Sequence, residues 1–308
     1  MSDNLPWIEK YRPCNITGIK GHVDIITVLK RYREITSMPH LLFYGPPGSG
    51  KTSTILAMAK EFYKESFQAM VMEINASDER GISVVTGKIK SFVQTRPLVG
   101  HQVKLVLLDE ADALTVEAQS ALRRIIEKNT KLARFCLCCN YADKILNPLQ
   151  SRCTKFRFSG IDDKYMKEKI DEIVHKENIS IDESAIQSII DISSGDARKV
   201  INLLQSVHLG QSSNITSDDI YRVAGCPLPS DIKLVYDSLS KDSFKVSFGI
   251  IRDMVKTKGY AMTDVVTKIS QKVNNPMLMD EFSNIEYNLA EGGNELLAIG
   301  HLIACFHQ

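Results

Sequence analysis

The stretch "LLFYGPPGSGKTSTI", residues 41–55, sets an apolar run before three glycines and two prolines, then a lysine and a helix-compatible train. From Gly45 through Gly50, Lys51 and Thr52 the spacing fits G-x-x-x-x-G-K-[ST], a loop whose main-chain N–H groups gather around a polyphosphate. Gly45, Gly48 and Gly50 can take backbone conformations closed to other residues. Pro46, Pro47, Ser49 and Ser53 complete the loop and its exit. Lys51 brings a positive charge for β- and γ-phosphates, Thr52 offers a hydroxyl to Mg²⁺, and the helix N-terminus adds its partial positive charge. The alternative is a Gly/Pro turn that binds nothing; the motif's place between a buried strand and a helix argues against it.

A second constellation completes the first. "KLVLLDEAD", residues 104–112, is an apolar strand that ends in adjacent carboxylates. Asp109 can enter the Mg²⁺ shell, and Glu110 can orient and activate an attacking water. Acidic strand ends are common, so the pair gains its meaning from the phosphate loop upstream. Asn140 follows the apolar run "RFCLCC" and can reach a phosphate or the water; its alternative is a turn-forming residue before "YADK". Arg152 in "SRC" and Arg198 in "SGDARKV" read singly as solvated charges, and their common order with the loop gives them weight.

These groups need a frame. Between residues 41 and 158 the runs "HLLFY", "MVMEIN", "VKLVLLD", "RFCLCC" and "TKFRF" alternate with helical patterns. None shows period-two polarity, which predicts strands buried on both faces: an α/β fold with a parallel sheet flanked by helices. After "FRFSGIDD" helices are expected near 163–177, 182–193, 196–207 and 216–223, with Asp182, Asp196 and Thr216 as caps and Gly195 and Gly210 as stops. "AGCPLPSD" marks a boundary, and four or five more helices follow. The expected organisation is an α/β nucleotide-binding domain over 1–160, a small helical lid over 161–226 and an all-α domain over 227–308.

The chain has 308 residues, 44% hydrophobic and 24% charged, with a net charge of +1, so contact with nucleic acid must come from a local patch. The start "MSDNLPWIEKYRP" lacks an apolar leader and no run of about 18 apolar residues occurs, so an intracellular, soluble protein with no membrane association is expected. Seven cysteines lie scattered; Cys136, Cys138 and Cys139 read as small buried hydrophobes rather than metal ligands, since no second pair follows at zinc spacing. "DEAD" shares four letters with helicases, but the chain has no room for a second helicase-like α/β domain.

Taken together, "WIEKYRP", "HLLFYGPPGSGKTS", "INASDERGI", "LLDEADALTVEAQSALRRIIE", "LQSRCTKFRF" and "SGDARKVINLLQ" resemble the small subunits of replication factor C, the eukaryotic sliding-clamp loader within the AAA+ ATPases. The resemblance spans residues 5–308, and "AGCPLPSD" with "IEY" and "GGN" is similar to its third-subunit branch. It implies ATP and Mg²⁺ as cofactors, and Tyr11, Arg12, Pro13 and Ile19 at the adenine. Asn140 would be the sensor 1 residue, Arg198 the sensor 2 arginine from the lid, and Arg152 a finger given to a neighbouring subunit's ATP. Asn75 would hold the catalytic glutamate back until DNA is engaged. The carboxyl-terminal helices would form a collar joining a heteropentamer, with a sliding clamp (PCNA) and primer-template DNA as further partners and the nucleus as location.

The resemblance also implies that a helix after "SDERGI" tracks DNA phosphates through Arg80 and Lys90, with Ser83, Thr86 and Lys90 on one face. Thr86 stands where the family usually has arginine, which weakens phosphate binding unless Lys88 compensates. Two roles follow: a working ATPase subunit that helps open and load the clamp for replication and repair, or a mainly structural ATP-binding member of this or a related checkpoint or cohesion loader. The complete set Lys51, Thr52, Asp109, Glu110, Asn140 and Arg198 favours the first, and the "SRC" loop and collar disfavour another AAA+ DNA motor.

Overall fold

A computed structural model describes residues 5–32, 35–77, 82–95, 103–210 and 214–307, with 82–86 described by their backbone alone. The chain forms two compact units: residues up to 178 together with 193–204, and 179–192 together with 205 onward.

The first unit is built on five strands: β1 His40–Tyr44, β2 Val71–Asn75, β3 Lys104–Asp109, β4 Ala133–Cys139 and β5 Cys153–Arg157. They pair in the order β2-β3-β4-β1-β5, every neighbour parallel. Each run named from sequence is one of these strands. Registers Tyr44↔Cys139, Asn75↔Asp109 and Leu108↔Leu137 bring the carboxyl ends level, where open α/β sheets place their ligand crevice.

The pleat sorts the apolar residues into two cores. Leu41, Phe43, Leu105, Leu107, Cys136 and Cys138 pack with Leu29, Ile55 and Met58 on one face. Leu42, Val106, Leu108, Phe135, Leu137 and Cys139 pack with Ile89, Leu122 and Ile125 on the other. Burial on both faces holds for the central strands β1, β3 and β4; β2 and β5, at the edges of the sheet, are mostly half-buried or exposed, contrary to the expectation for all five. The cysteine run is therefore divided between the cores. All three thiols are free, and burial pushes that of Cys139 up to about 12, as suits inert packing groups.

Helices Lys51–Tyr63, Ile82–Gln94 and Val116–Asn129 flank the sheet in sequence. The carboxyl end of Ile82–Gln94 is tied to β3 by Lys104, only 4% exposed. Its Nζ donates to the carbonyls of Phe92 and Thr95, both at 2.5 Å, and lies 4.6 Å from the Phe92 ring centroid.

The expected lid segment is divided between the units. Helix Asp163–Glu177 and the first half of Ala197–Gly210 go with the sheet; most of Glu183–Ser193 and all of Ser217–Ala224 go with the second unit. Asp196 caps as expected, its Oδ1 accepting the N–H of Arg198 at 2.8 Å, and Thr216 forms a capping box with Asp219. Asp182 stands immediately before helix Glu183–Ser193, its carbonyl accepting the Ile186 N–H at 3.1 Å, and its carboxylate accepts from Asn214 Nδ2 at 2.7 Å.

In the second unit Gly225, at φ +68°, ends one helix and Pro229 opens the next. Five helices from Pro229–Lys241 to Glu295–Phe306 enclose a core that includes Val235, Ile251, Val266, Phe282 and Leu302. Glu281, His301 and Cys305 bring three metal-capable atoms within 4.8 Å there. His301 Nε2 already pairs with Glu281 Oε2 at 2.8 Å, and Cys305 Sγ donates to the carbonyl of His301 at 3.0 Å. Among the described residues no helix is long and apolar enough to cross a membrane.

Candidate nucleotide-binding site

The loop between β1 and helix Lys51–Tyr63 is shaped by close backbone approach. A Cβ on Gly48, whose φ is +66°, would sit 1.7 Å from Asp196 Oδ1, and one on Gly45 would sit 2.0 Å from the carbonyl oxygen of Phe158. The glycines thus let the loop lie against the last strand's exit and the start of the lid helix. The Ala197 N–H donates to the Gly48 carbonyl at 3.3 Å across that contact. Ser49 Oγ donates to the Pro46 carbonyl at 2.8 Å, and the His22 ring meets the Ser49 carbonyl at 3.1 Å.

Lys51 is buried, and its Nζ donates to the carbonyls of Gly45 at 2.9 Å and Pro46 at 2.8 Å and to Asn140 Oδ1 at 3.1 Å. Loss of water pushes its pKa down, and nearby Asp109 only partly offsets this. Its three hydrogen-bond acceptors are neutral oxygens, so a phosphate anion fits this ammonium. Thr52 Oγ1 donates to Asp109 Oδ2 at 2.8 Å. A hydroxyl and a carboxylate at that spacing are the hard oxygen donors Mg²⁺ takes, so the residues fit the ion.

Glu110 follows Asp109 in the left-handed region, φ +52°, and is exposed. The short turn Ala111–Ala113 comes next and carries Asp112. Asp112 Oδ2 accepts the N–H groups of both Asn140 and Tyr141, each at 3.2 Å. Sequence reasoning missed this residue; the third acid of "DEAD" was its one signal.

A cavity of about 230 Å³ opens at the carboxyl ends of the strands. It is lined by Tyr11, Arg12, Pro13, Ile19, Pro47, Gly48, Ser49, Gly50, Lys51, Thr52, Ser53, Asp109, Glu110, Asn140 and Arg198. Gly45 and Pro46 stand outside the lining and contribute carbonyls to Lys51. Ile161, Tyr165, Met166, Lys169 and Ile201 also line it and were not foreseen, although residues 165, 166 and 169 share one face of an amphipathic helix. The buried Tyr11 donates its hydroxyl to Glu177 Oε1, which also pairs with Lys10 at 2.6 Å. Burial and that carboxylate push the phenol pKa up.

Other expected residues lie away from the cavity. Arg152 pairs with Glu127 and donates to the Pro148 carbonyl at 2.6 Å. Asn75 Oδ1 accepts from the N–H and hydroxyl of Ser77 at 3.1 and 2.9 Å, and among the described residues no hydrogen bond joins Asn75 to Glu110. Lys88 and Lys90 are exposed on helix Ile82–Gln94. Arg80 and the side chains of Ser83 and Thr86 lie outside the described residues.

Three family descriptions match in order along the chain. The ATPase family associated with various cellular activities (AAA) covers residues 41–161, an RFC1-like AAA+ ATPase lid domain covers 164–221, and the replication factor C C-terminal domain covers 227–305. The chain is 44% identical to probable replication factor C subunit 5 of Dictyostelium discoideum, covering 99% of this chain and 91% of that one. It is 43% identical to replication factor C subunit 5 of Homo sapiens (98% and 92% covered) and 39% identical to subunit 3 of Saccharomyces cerevisiae (99% and 95%). Among solved structures, the Thermotoga maritima RuvB Holliday junction branch migration motor superposes with a TM-score of 0.55 at 17% identity, covering 80% and 88% of the two chains. That likeness concerns the fold alone.

Proposed function

Because this chain belongs to the small subunits of replication factor C, a clamp-loader family of AAA+ ATPases, we propose that it binds ATP with Mg²⁺ in the cavity at the strand ends. Hydrolysis there serves a heteropentamer with sister subunits that opens a sliding clamp (PCNA) and sets it on primer-template DNA in the nucleus. The observation that carries the reading is the convergence of Lys51, Thr52, Asp109 and Asn140 through the hydrogen bonds from Lys51 to Asn140 and from Thr52 to Asp109.

Each side chain has a task. Lys51 exchanges neutral carbonyls for phosphate oxygens, and Thr52 and Asp109 supply oxygens to the metal. When bound, Mg²⁺ supplies positive charge to the phosphate oxygens as charge builds on them. Glu110 takes a proton from the attacking water, while Asn140 orients the γ-phosphate or that water. Arg198 reaches the γ-phosphate from the first turn of its helix, which Asp196 caps. Tyr11, Arg12, Pro13 and Ile19 form the adenine wall. Arg152 serves the neighbouring subunit's ATP, Asn75 restrains Glu110 before DNA engages, and Lys90, with Arg80, Ser83, Thr86 and Lys88, follows DNA phosphates.

The test is Lys51→Ala in the purified chain, read by nucleotide affinity. Loss of one charge-assisted bond of about 1.5–3 kcal/mol should weaken ATP binding roughly tenfold or more with the fold retained. Unchanged affinity would overturn the assignment.

A further inference from the structure

We propose that Asp112 is a positioning residue for hydrolysis, one that holds Asn140 in register with Glu110. This rests on the reading of Asn140 and Glu110 just given. The observation is a double acceptance: one oxygen, Oδ2, takes the N–H groups of two successive residues, Asn140 and Tyr141. Those groups lie immediately beyond β4, where the sheet's hydrogen bonding has stopped and the chain leaves the ladder. Without a partner they would leave the loop's first two residues unfixed.

The other end of the linkage is short and stiff. Asp112 sits in the turn Ala111–Ala113, closed by the Ala113 N–H donating to the Glu110 carbonyl at 2.8 Å. Two residues separate it from Asp109, which bonds Thr52. The Asn140 side chain in turn accepts from Lys51 at 3.1 Å. One carboxylate thereby ties the backbone that presents Glu110 to the backbone that presents Asn140, though the two are 30 positions apart in sequence. Asp112 is absent from the cavity lining, so it acts through Asn140 and not on the nucleotide. A small error in such placement costs turnover strongly while ground-state binding, carried by the loop and Lys51, persists.

The experiment uses the assembled complex with this chain as the altered subunit, with clamp and primed DNA present. Asp112→Ala should leave ATP affinity within about twofold and lower kcat at this site by about tenfold or more. Hydrogen exchange of the Asn140 and Tyr141 amides should quicken while that of the sheet does not. Asp112→Asn retains one carbonyl oxygen able to accept both N–H groups, and should restore kcat to within about threefold. In the double variant with Asn140→Ala, the two losses should not add, since both remove one placement.

Normal turnover in Asp112→Ala, or equal losses in affinity and kcat, overturns the proposal. So does failure of both Asp112→Ala and Asp112→Ser to assemble, since the residue is then structural. Asn140→Ala run alone separates the two levels. If it is fully active, the reading of Asn140 falls; if it is slow while Asp112→Ala is normal, only the role of Asp112 falls.

Discussion

Thr52 and Asp109 meet at 2.8 Å across 57 positions of sequence, the hydroxyl at the head of the phosphate-loop helix donating to the carboxylate at the tip of β3. The contact sets the distance between the loop and the carboxylate turn, so Glu110 inherits its position from a residue pair that does no proton chemistry. If the proposed roles hold, binding and hydrolysis should be separable by substitution.

Glu110→Gln keeps shape and hydrogen bonding but removes the base. ATP should still bind with near-normal affinity, while hydrolysis at this site falls by about 10²–10⁴. Single-turnover measurement on a complex whose other sites are silenced checks this, and an unchanged rate removes Glu110 from the chemistry.

Arg152 is held by Glu127 and the Pro148 carbonyl, away from its own chain's cavity. Arg152→Ala should leave ATP binding by the isolated subunit unaltered yet depress hydrolysis at the adjoining site by about a thousandfold, the scale seen where such fingers are lost. Titrating nucleotide into the lone subunit and then measuring turnover in the rebuilt complex discriminates. Lost binding in the lone subunit would make it a cis ligand.

Lys90 tests the proposal that helix Ile82–Gln94 follows DNA phosphates. Lys90→Glu should weaken binding to all sequences alike and reduce the slope of log affinity against log salt by about one unit, because a phosphate contact carries no base information. A sequence-selective loss would point to base contact instead.

His40 supplies a pH limb. Its Nδ1 accepts the Phe135 N–H at 3.2 Å, and burial, with a smaller contribution from Arg134, pushes its pKa from 6.5 down to about 4. The unfolded chain takes up a proton below pH 6.5 that the folded chain refuses until about pH 4. Stability is therefore lost as pH falls through that window, at up to about 1.4 kcal/mol per pH unit. His40→Asn, which keeps an acceptor for Phe135, should flatten this limb in urea unfolding between pH 4.5 and 7.

The five strand runs and the G-x-x-x-x-G-K-[ST] spacing could be read from types and spacing, and Lys51, Thr52, Asp109, Glu110 and Asn140, singled out there, line one cavity. Gly48 was legible as a flexible position; that its missing side chain leaves room for Asp196, 148 residues on, was not. The same holds for Tyr11 and Glu177, whose bond depends on where the chain's start meets the end of a later helix. Asp112 escaped notice because its partners are backbone N–H groups, which any sequence possesses.

Strand β3 has a grip at each end. At its start Lys104 clasps the carbonyls of Phe92, in helix Ile82–Gln94, and of Thr95 just beyond it; at its finish Asp109 bonds Thr52. Six residues of buried parallel strand span about 20 Å between them, hydrogen-bonded on both sides and unable to bend independently of the sheet. Mechanically β3 is a push-rod, a stiff member able to carry a load from the end of that helix to Asp109. Lys104→Ala would remove both hydrogen bonds of that clasp, and with them this link.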